Sequence, residues 1–332
     1  MSHQIDKVSH NMKLESQLPT TNTNIKQTES GKLLKLVLLF IFSGVLYLLT
    51  NVNVSLYSLF STENDPYKVA LKVLKKAPVL DTHLDLPIFL REEFGLDFDS
   101  FNLSKPIPSP FPLHIDFERT RIGRLGGGSF SSFVECPSNS STDTSVRDTI
   151  EQLDTVHLIE EYYDYVKIVK SSKDLEKLPK NKLGIFLSLE GAHQLGNSLG
   201  TLRMYARMGV KYVTLAHNCD NIFADSSVGS QNTNNGLSNI GKSLVKEMNR
   251  VGILVDLSHT SDSTAHQAID ISDGPLFWSH SGSREIFDHP RNVPDDLLIR
   301  LRDSPNDGII QIVFAPDFIA VSYSIFIFKN IF

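Results

Sequence analysis

Five predicted strands end in side chains that can bind a metal ion. Imidazole and carboxylate groups suit zinc, and one such group at a strand end is usually a structural, hydrogen-bonded residue. The same feature on five strands favours a metal site. The residues, in chain order, are His83 with Asp85, Glu190, His217, His259 and His280.

The strands that must position these side chains are apolar runs separated by helical patterns. Such runs are typical of a parallel sheet covered by helices on both faces. No dinucleotide-binding glycine pattern follows the first run, so we predict a TIM-like (β/α)8 barrel rather than a Rossmann sheet. The carboxyl ends of barrel strands converge, so residues far apart in sequence become neighbours. The seven predicted strands are Val79–His83, Ser129–Val134, Gly184–Glu190, Tyr212–His217, Ile253–His259, Leu276–His280 and Ile309–Phe314.

Apolar periodicity predicts three helices between these strands. The first buries a face that includes Ile150 and Leu153, and the other two end before Gly209 and Gly252.

Composition excludes several classes of protein. The 332 residues carry a formal net charge of −6, which argues against nucleic acid as a partner because phosphate binding needs a basic surface. With 41% hydrophobic residues the chain can bury a large core. Two cysteines, Cys136 and Cys219, exclude a disulfide-built scaffold and a four-cysteine zinc site.

The amino-terminal part predicts membrane attachment. Residues 1–35 are polar and predict a disordered cytosolic tail, 36–56 a transmembrane signal anchor, 57–78 a linker, and 79–332 the barrel. Lys32 and Lys35 precede the apolar segment and Glu63 and Asp65 follow it, so the barrel is expected on the lumenal or extracellular side. A cleaved signal peptide is the alternative, and it delivers the barrel to the same side.

That location gives the cysteines and three sequons a meaning. In an oxidising compartment Cys136 and Cys219 are expected to pair, although sequence does not show that they lie within bridging distance. Asn53, Asn102 and Asn139 begin Asn-X-Ser sequons, which are glycosylation acceptors only on the lumenal side.

Six motifs between Asp81 and Asp296 carry a family resemblance. Their order and residues resemble those of the membrane (renal-type) dipeptidases, binuclear zinc peptidases of the amidohydrolase superfamily, from about Val79 to Phe314. The motifs are Asp81-Thr-His-Leu-Asp-Leu-Pro, Ser188-Leu-Glu-Gly-Ala-His, Thr214-Leu-Ala-His-Asn-Cys, Asp256-Leu-Ser-His-Thr-Ser, Trp278-Ser-His-Ser and His289-Pro-Arg-Asn-Val-Pro-Asp-Asp.

The resemblance implies roles for individual residues. It implies a disulfide between Cys136 and Cys219, dipeptide substrates and a homodimer. It implies two zinc ions, one held by His83 and Asp85 and the other by His259 and His280, with Glu190 bridging them. It also implies that His217 contacts the substrate near its scissile carbonyl and that Arg291 binds the dipeptide carboxylate.

The chemistry expected from these roles is hydrolysis by a metal-bridging hydroxide. Zinc lowers the pKa of a bound water to about 7, and His217 would stabilise the oxyanion as it forms. Arg291 offers a planar fork that matches a carboxylate and favours dipeptides over longer peptides.

The sequence departs from the family after Phe314. The family continues through a helix and an eighth strand with a proton-transferring aspartate, and no residue here matches that aspartate. We therefore expect a barrel lacking its last strand and helix, from an incomplete gene model or unspliced sequence. Two alternatives stay open: a catalytically inactive, metal-binding surface protein, and another amidohydrolase.

Overall fold

The computed structural model describes residues 65–107, 113–137, 144–229 and 233–319. The chain divides into two units, Met1–Val69 and Ala70–Phe332, and the site residues discussed below lie in the second. The predicted tail at 1–35 and the predicted anchor at 36–56 lie outside the described residues. Within the described ranges, no helix has the length and apolar character needed to cross a membrane.

The described elements alternate between strands and helices. The strands are β1 (Val79–Leu84), β2 (Leu125–Ser132), β3 (Val166–Ile168), β4 (Leu183–Leu189), β5 (Val210–Thr214), β6 (Leu254–Asp256), β7 (Leu276–Ser281) and β8 (Gly308–Ile312). The α-helices are α1 (Pro66–Lys76), α2 (Leu86–Phe94), α3 (Phe117–Ile122), α4 (Ser145–Tyr162), α5 (Ser172–Glu176), α6 (Leu199–Met208), α7 (Asn239–Val251), α8 (Asp262–Ile271) and α9 (Asp295–Asp303), with 3₁₀ turns at Ala192–Leu195 and Pro316–Phe318.

The strands form one parallel sheet that curves into a near-closed barrel. The hydrogen-bonded path runs β1-β2-β4-β5-β6-β7-β8. Within the described residues β1 and β8 end this path and do not pair with each other. The predicted TIM-like α/β architecture is thus confirmed, whereas the predicted absence of a further strand and helix stays a prediction.

β3 is a strand that sequence reasoning missed. It pairs with the first half of β4, while β5 pairs with the second half, so β3 lies off the main path. Its three residues Val-Lys-Ile are too few for an apolar run to stand out.

Several predicted strands are too long at the end that carries the metal-type residue. β4 ends one residue before Glu190, and β5 and β6 end three residues before His217 and His259. These side chains therefore stand on the turns that follow the strands, where the chain has left the hydrogen-bonded ladder. The predicted linker also contains a helix, α1.

The core lies between the sheet and the helices around it. β4 is buried along nearly its whole length, as expected for a strand covered on both faces. α7 is capped by Ser238, which accepts from Gly241 N, and ends directly before Gly252 as predicted. In α4, however, Ile150 is 42% exposed, because the helix buries Gln152 and Leu153 instead.

Candidate metal centre

Glu190 is the residue around which the site is organised. It follows β4 and is buried, and its Oε1 faces four histidine rings. The distances from Glu190 Oε1 to the Nε2 atoms are 2.9 Å for His259, 3.3 Å for His280, 3.4 Å for His83 and 3.7 Å for His217. The barrel therefore brings together residues from five strand ends.

The ligand-type atoms form two overlapping clusters. His83, Glu190 and His280 are within 4.8 Å of one another, and so are Glu190, His217 and His259. Glu190 belongs to both. Asp85 belongs to neither, but its Oδ1 lies 3.1 Å from His83 Nε2, and its side chain is 63% exposed. The pairing of ligands implied by the resemblance stays a prediction, since His259 and His280 fall in different clusters although their Nε2 atoms are 2.9 Å apart.

His259 is held in a sparsely populated backbone conformation. Its φ is 66°, in the left-handed region that non-glycine residues seldom adopt. Ser227 N donates to His259 O at 2.7 Å, and His259 Nδ1 lies 3.1 Å from Asn218 Oδ1. The surrounding loop thus fixes a residue whose backbone alone would prefer another conformation.

The Nδ1 atoms of His83 and His280 also have protein partners. His83 Nδ1 lies 3.3 Å from the hydroxyl of Tyr212, and His280 Nδ1 lies 2.8 Å from Ser279 Oγ. A partner on Nδ1 orients the ring and leaves Nε2 toward Glu190.

Sequence reasoning missed these supporting residues. Asn218 directly follows His217, and Ser279 directly precedes His280, so both lay inside the quoted motifs. Tyr212 lies on β5, across the barrel from β1, and no local pattern connects it with His83.

The strongest charge coupling is between Glu190 and His83. Burial raises the pKa of Glu190, but the nearby positive charge of His83 and the hydrogen bond that His83 donates outweigh it, and the pKa lies well below its usual range. Burial lowers the pKa of His83, but the charges of Glu190 and Tyr212 outweigh it, and the pKa lies well above its usual range. The two residues form a buried ion pair.

The other three histidines around Glu190 are neutral. Burial lowers the pKa of both His259 and His280 to about 3, with further contributions from the positive charges of Arg291 and His83 respectively. Burial also lowers the pKa of His217. Neutral imidazole is the form that binds metal ions.

His217 lies against the cluster with one nitrogen available. Its ring packs on Phe133 at 4.5 Å and on His259 at 4.3 Å between centroids. Its buried Nδ1 has no hydrogen-bond partner within the described part of the chain.

Arg291 is a buried cation beside the histidines. Its Nη2 donates to His280 O at 3.3 Å, and its guanidinium lies 5.6 Å from the Phe318 ring. Nε and Nη1 are buried and have no partner among the residues the structure describes. Burial lowers the pKa of Arg291 to about 10, so the group stays charged at neutral pH. Buried donors without partners are costly, and an anion bound at this position would satisfy them.

Gly191 allows the chain to turn sharply after Glu190. Its φ is 114°, and a Cβ there would lie 2.5 Å from the His193 ring and 3.3 Å from His217 Cβ. Only glycine fits both the conformation and the space.

The two cysteines are joined in a disulfide. Cys136 and Cys219 are bonded with a Cα–Cα distance of 6.2 Å. Cys219 is two residues after His217, so the bond ties the turn after β5 to the segment after β2.

The sequence matches a known protein family. The family model for membrane dipeptidase, peptidase family M19, matches residues 67–327, and the chain belongs to that family.

Two curated relatives of this chain come from fungi. An uncharacterised dipeptidase of Schizosaccharomyces pombe is 40% identical over 267 residues, covering 77% of this chain and 64% of the relative. The dipeptidase verJ of Clonostachys rogersoniana is 38% identical over 261 residues, covering 76% and 66%. The chain thus spans slightly under two thirds of the length of these relatives.

Solved structures show the same fold. The probable dipeptidase PvdM from Pseudomonas aeruginosa superposes with a TM-score of 0.66 at 25% identity, covering 78% of this chain and 66% of that one. A metallopeptidase from Rhodobacter sphaeroides, crystallised with a phosphinate mimic of the dipeptide L-Ala-D-Ala, has a TM-score of 0.62 at 22% identity, covering 73% and 75%.

Proposed function

We propose that this chain is a zinc-dependent dipeptidase that binds two zinc ions. The observation that carries the proposal is the position of Glu190, whose one carboxylate oxygen faces four histidines. The donor set fits zinc, because neutral imidazole and carboxylate are its usual ligands besides thiolate. The residues proposed to hold the ions are His83, Asp85, Glu190, His259 and His280.

Zinc bound there would polarise a peptide carbonyl and activate water at neutral pH. Glu190 belongs to both clusters, which supports a role in holding both ions. His217 is neutral and its Nδ1 has no partner among the described residues, so its ring N–H can donate to negative charge that develops on the substrate oxygen.

Arg291 is proposed to select dipeptides. Its Nε and Nη1 have no partner among the described residues, and either one can donate to a free carboxylate alongside the neighbouring Nη2. A carboxylate held at that position places the peptide bond next to it near the histidines, since Arg291 also contacts His280 O. The curated relatives named dipeptidases support this substrate class.

The test is metal analysis and hydrolysis by the full chain. We expect two zinc ions per chain and release of amino acids from L-Ala-L-Ala. Arg291→Met should raise KM for the dipeptide strongly but should leave the already poor cleavage of the dipeptide C-terminal amide unchanged. Arg302→Met, an exposed arginine on α9, is the matched control and should change neither.

Three results would contradict the proposal in different ways. Zinc binding without hydrolysis would favour an inactive metal-binding surface protein. Hydrolysis of another amide but not of dipeptides would favour a different amidohydrolase. An equal effect of Arg291→Met on the dipeptide and its amide would remove Arg291 from substrate selection.

We further propose that the barrel lies on the lumenal or extracellular side of a membrane and carries a glycan. The disulfide supports an oxidising compartment. Glycosylation at Asn102 is supported by the exposure of both Asn102 and Ser104, the first and third residues of the sequon. A mass decrease on treatment with an N-glycosidase, absent in Asn102→Gln, would test this.

A further inference from the structure

Asp256 is a buried carboxylate connected to His280 of the candidate metal centre by two successive hydrogen bonds. It is the last residue of β6 and is fully buried. Ser258 N and Ser279 N donate to its Oδ1 at 3.0 and 2.9 Å, and Thr214 Oγ1 and Ser279 Oγ donate to its Oδ2, each at 2.6 Å. All four contacts come from donors, so both oxygens of the Asp256 side chain act as hydrogen-bond acceptors.

The hydroxyl of Ser279 connects this carboxylate to His280. A serine hydroxyl has one hydrogen, and the Asp256 carboxylate at 2.6 Å is a closer and more strongly accepting partner for it than Ser258 Oγ at 3.3 Å. Ser279 Oγ must therefore accept from His280 Nδ1, which lies 2.8 Å away. His280 then carries its hydrogen on Nδ1, and its Nε2 lone pair faces Glu190 at 3.3 Å.

We propose that Asp256 is a positioning residue of the metal centre that acts through Ser279 to fix the tautomer and ring orientation of His280. The inference rests on the proposed zinc binding, since His280 is one of the proposed ligands. A carboxylate linked to a ligand histidine also raises the basicity of the ring nitrogen that binds the metal.

The supports of the other two ligand histidines differ in charge. Tyr212 faces His83 Nδ1 and donates its own hydrogen to Thr82 O at 2.6 Å. Asn218 faces His259 Nδ1 through its side-chain oxygen. Tyr212 and Asn218 are both uncharged. Of these three described Nδ1 contacts, the contact at His280 is connected to a carboxylate, through Ser279. Loss of Asp256 should thus affect His280 more than the other rings.

The experiment compares three variants. Asp256→Asn removes the charge, Ser279→Ala breaks the connection, and Thr214→Val removes a hydrogen bond of the same length to the same oxygen without touching His280. Zinc affinity is measured by competition with a chelator. The His280 tautomer is measured by ¹⁵N NMR on the zinc-free protein, and far-UV circular dichroism checks the fold.

We expect hydrogen on His280 Nδ1 in the unmodified chain and a shift of the tautomer population in Asp256→Asn and Ser279→Ala. Zinc affinity should fall about 10–100-fold in both, and much less in Thr214→Val. If Asp256→Asn does not fold, Ser279→Ala carries the test.

Three findings would overturn the inference: hydrogen on Nε2 in the unmodified chain, unchanged zinc affinity in Ser279→Ala, or an equal loss in Thr214→Val. If the unmodified chain binds no zinc, the proposed function fails, while the tautomer measurement on the zinc-free protein still decides whether Asp256 and Ser279 orient His280.

Discussion

Three residues of the candidate metal centre are positioned by interior strands of the sheet: Glu190 follows β4, His259 follows β6 and His280 lies on β7. Two others are positioned by β1, at one end of the sheet: His83 lies on this strand and Asp85 directly follows it. The inner side, defined here as Glu190, His259 and His280, is flanked by strands on both sides. The edge side, His83 and Asp85, has a neighbouring strand on one side only among the described residues. Glu190 is 7% exposed and Asp85 63%.

The difference shows how one site combines two degrees of preorganisation. The inner side is held by buried hydrogen bonds and by the left-handed backbone of His259, so its geometry is set before any ligand arrives. The exposed carboxylate of Asp85 is fixed by one described contact, to His83. A ligand held by fewer contacts loses more conformational entropy when it binds.

The largest effect is expected for Glu190→Gln, which removes the charge shared by both clusters. Both zinc ions should be lost, and dipeptide hydrolysis should fall by about 10³-fold, because metal stabilisation of several kcal/mol corresponds to a factor of ten per 1.36 kcal/mol. Metal analysis and kcat/KM measure this. Glu176→Gln, exposed on α5, is the control; retention of two ions in Glu190→Gln would break the comparison at its centre.

A smaller effect is expected for Asp85→Asn on the edge side. One zinc ion should bind about 10–100-fold more weakly, a range typical for weakened metal sites, while the other stays bound. Zinc titration followed by metal analysis distinguishes one retained ion from none. Loss of both ions would mean that the two sides do not differ as described.

Two valine substitutions compare the strands themselves. Val255 on β6 is fully buried and Val79 on β1 is 46% exposed. Val255→Ala should lower the free energy of unfolding by about 2 kcal/mol, and Val79→Ala by less than about 0.5 kcal/mol. Denaturant unfolding of the zinc-free protein measures both, and equal losses would contradict the difference between interior and edge strands.

The smallest effect concerns the support behind Glu190. Gln194 Nε2 donates to Glu190 O at 2.9 Å, and the Tyr205 hydroxyl donates to Gln194 O at 3.1 Å. Burial raises the pKa of Tyr205 to about 12, while an unfolded tyrosine titrates near about 10. The neutral hydroxyl is favoured in the folded state, so this contribution to stability is complete below pH ~10 and is lost as the pH rises toward ~12.

Tyr205→Phe removes that titration. Its unfolding free energy should fall less steeply between pH ~10 and ~12 than that of the unmodified chain. Parallel pH profiles of denaturant unfolding make the comparison, and identical slopes would show that Tyr205 does not titrate as a buried group.

Much of this architecture could be predicted locally. The apolar run of β4 is a local signal, and so are Ser238 and Gly252 at the two ends of α7. Such signals determine where strands and helices begin and end. β3 was missed because three residues carry too little pattern. The exposed Ile150 was missed because α4 packs polar Gln152 into its interface, where Nε2 donates to Phe133 O at 2.6 Å.

The sequence alone determined which chemical groups the site contains, because residue types and motif order are written in the chain. It also determined that these groups come from several strand ends, since a parallel barrel gathers its carboxyl ends on one side. Only the tertiary structure decided which atoms meet: that Glu190 faces four rings, that Asp85 stands apart, and that His280 is backed by Asp256 through Ser279. Some of these contacts join residues more than a hundred positions apart in the sequence, as between His83 and Glu190. They depend on strand register and loop conformation, which no local pattern specifies.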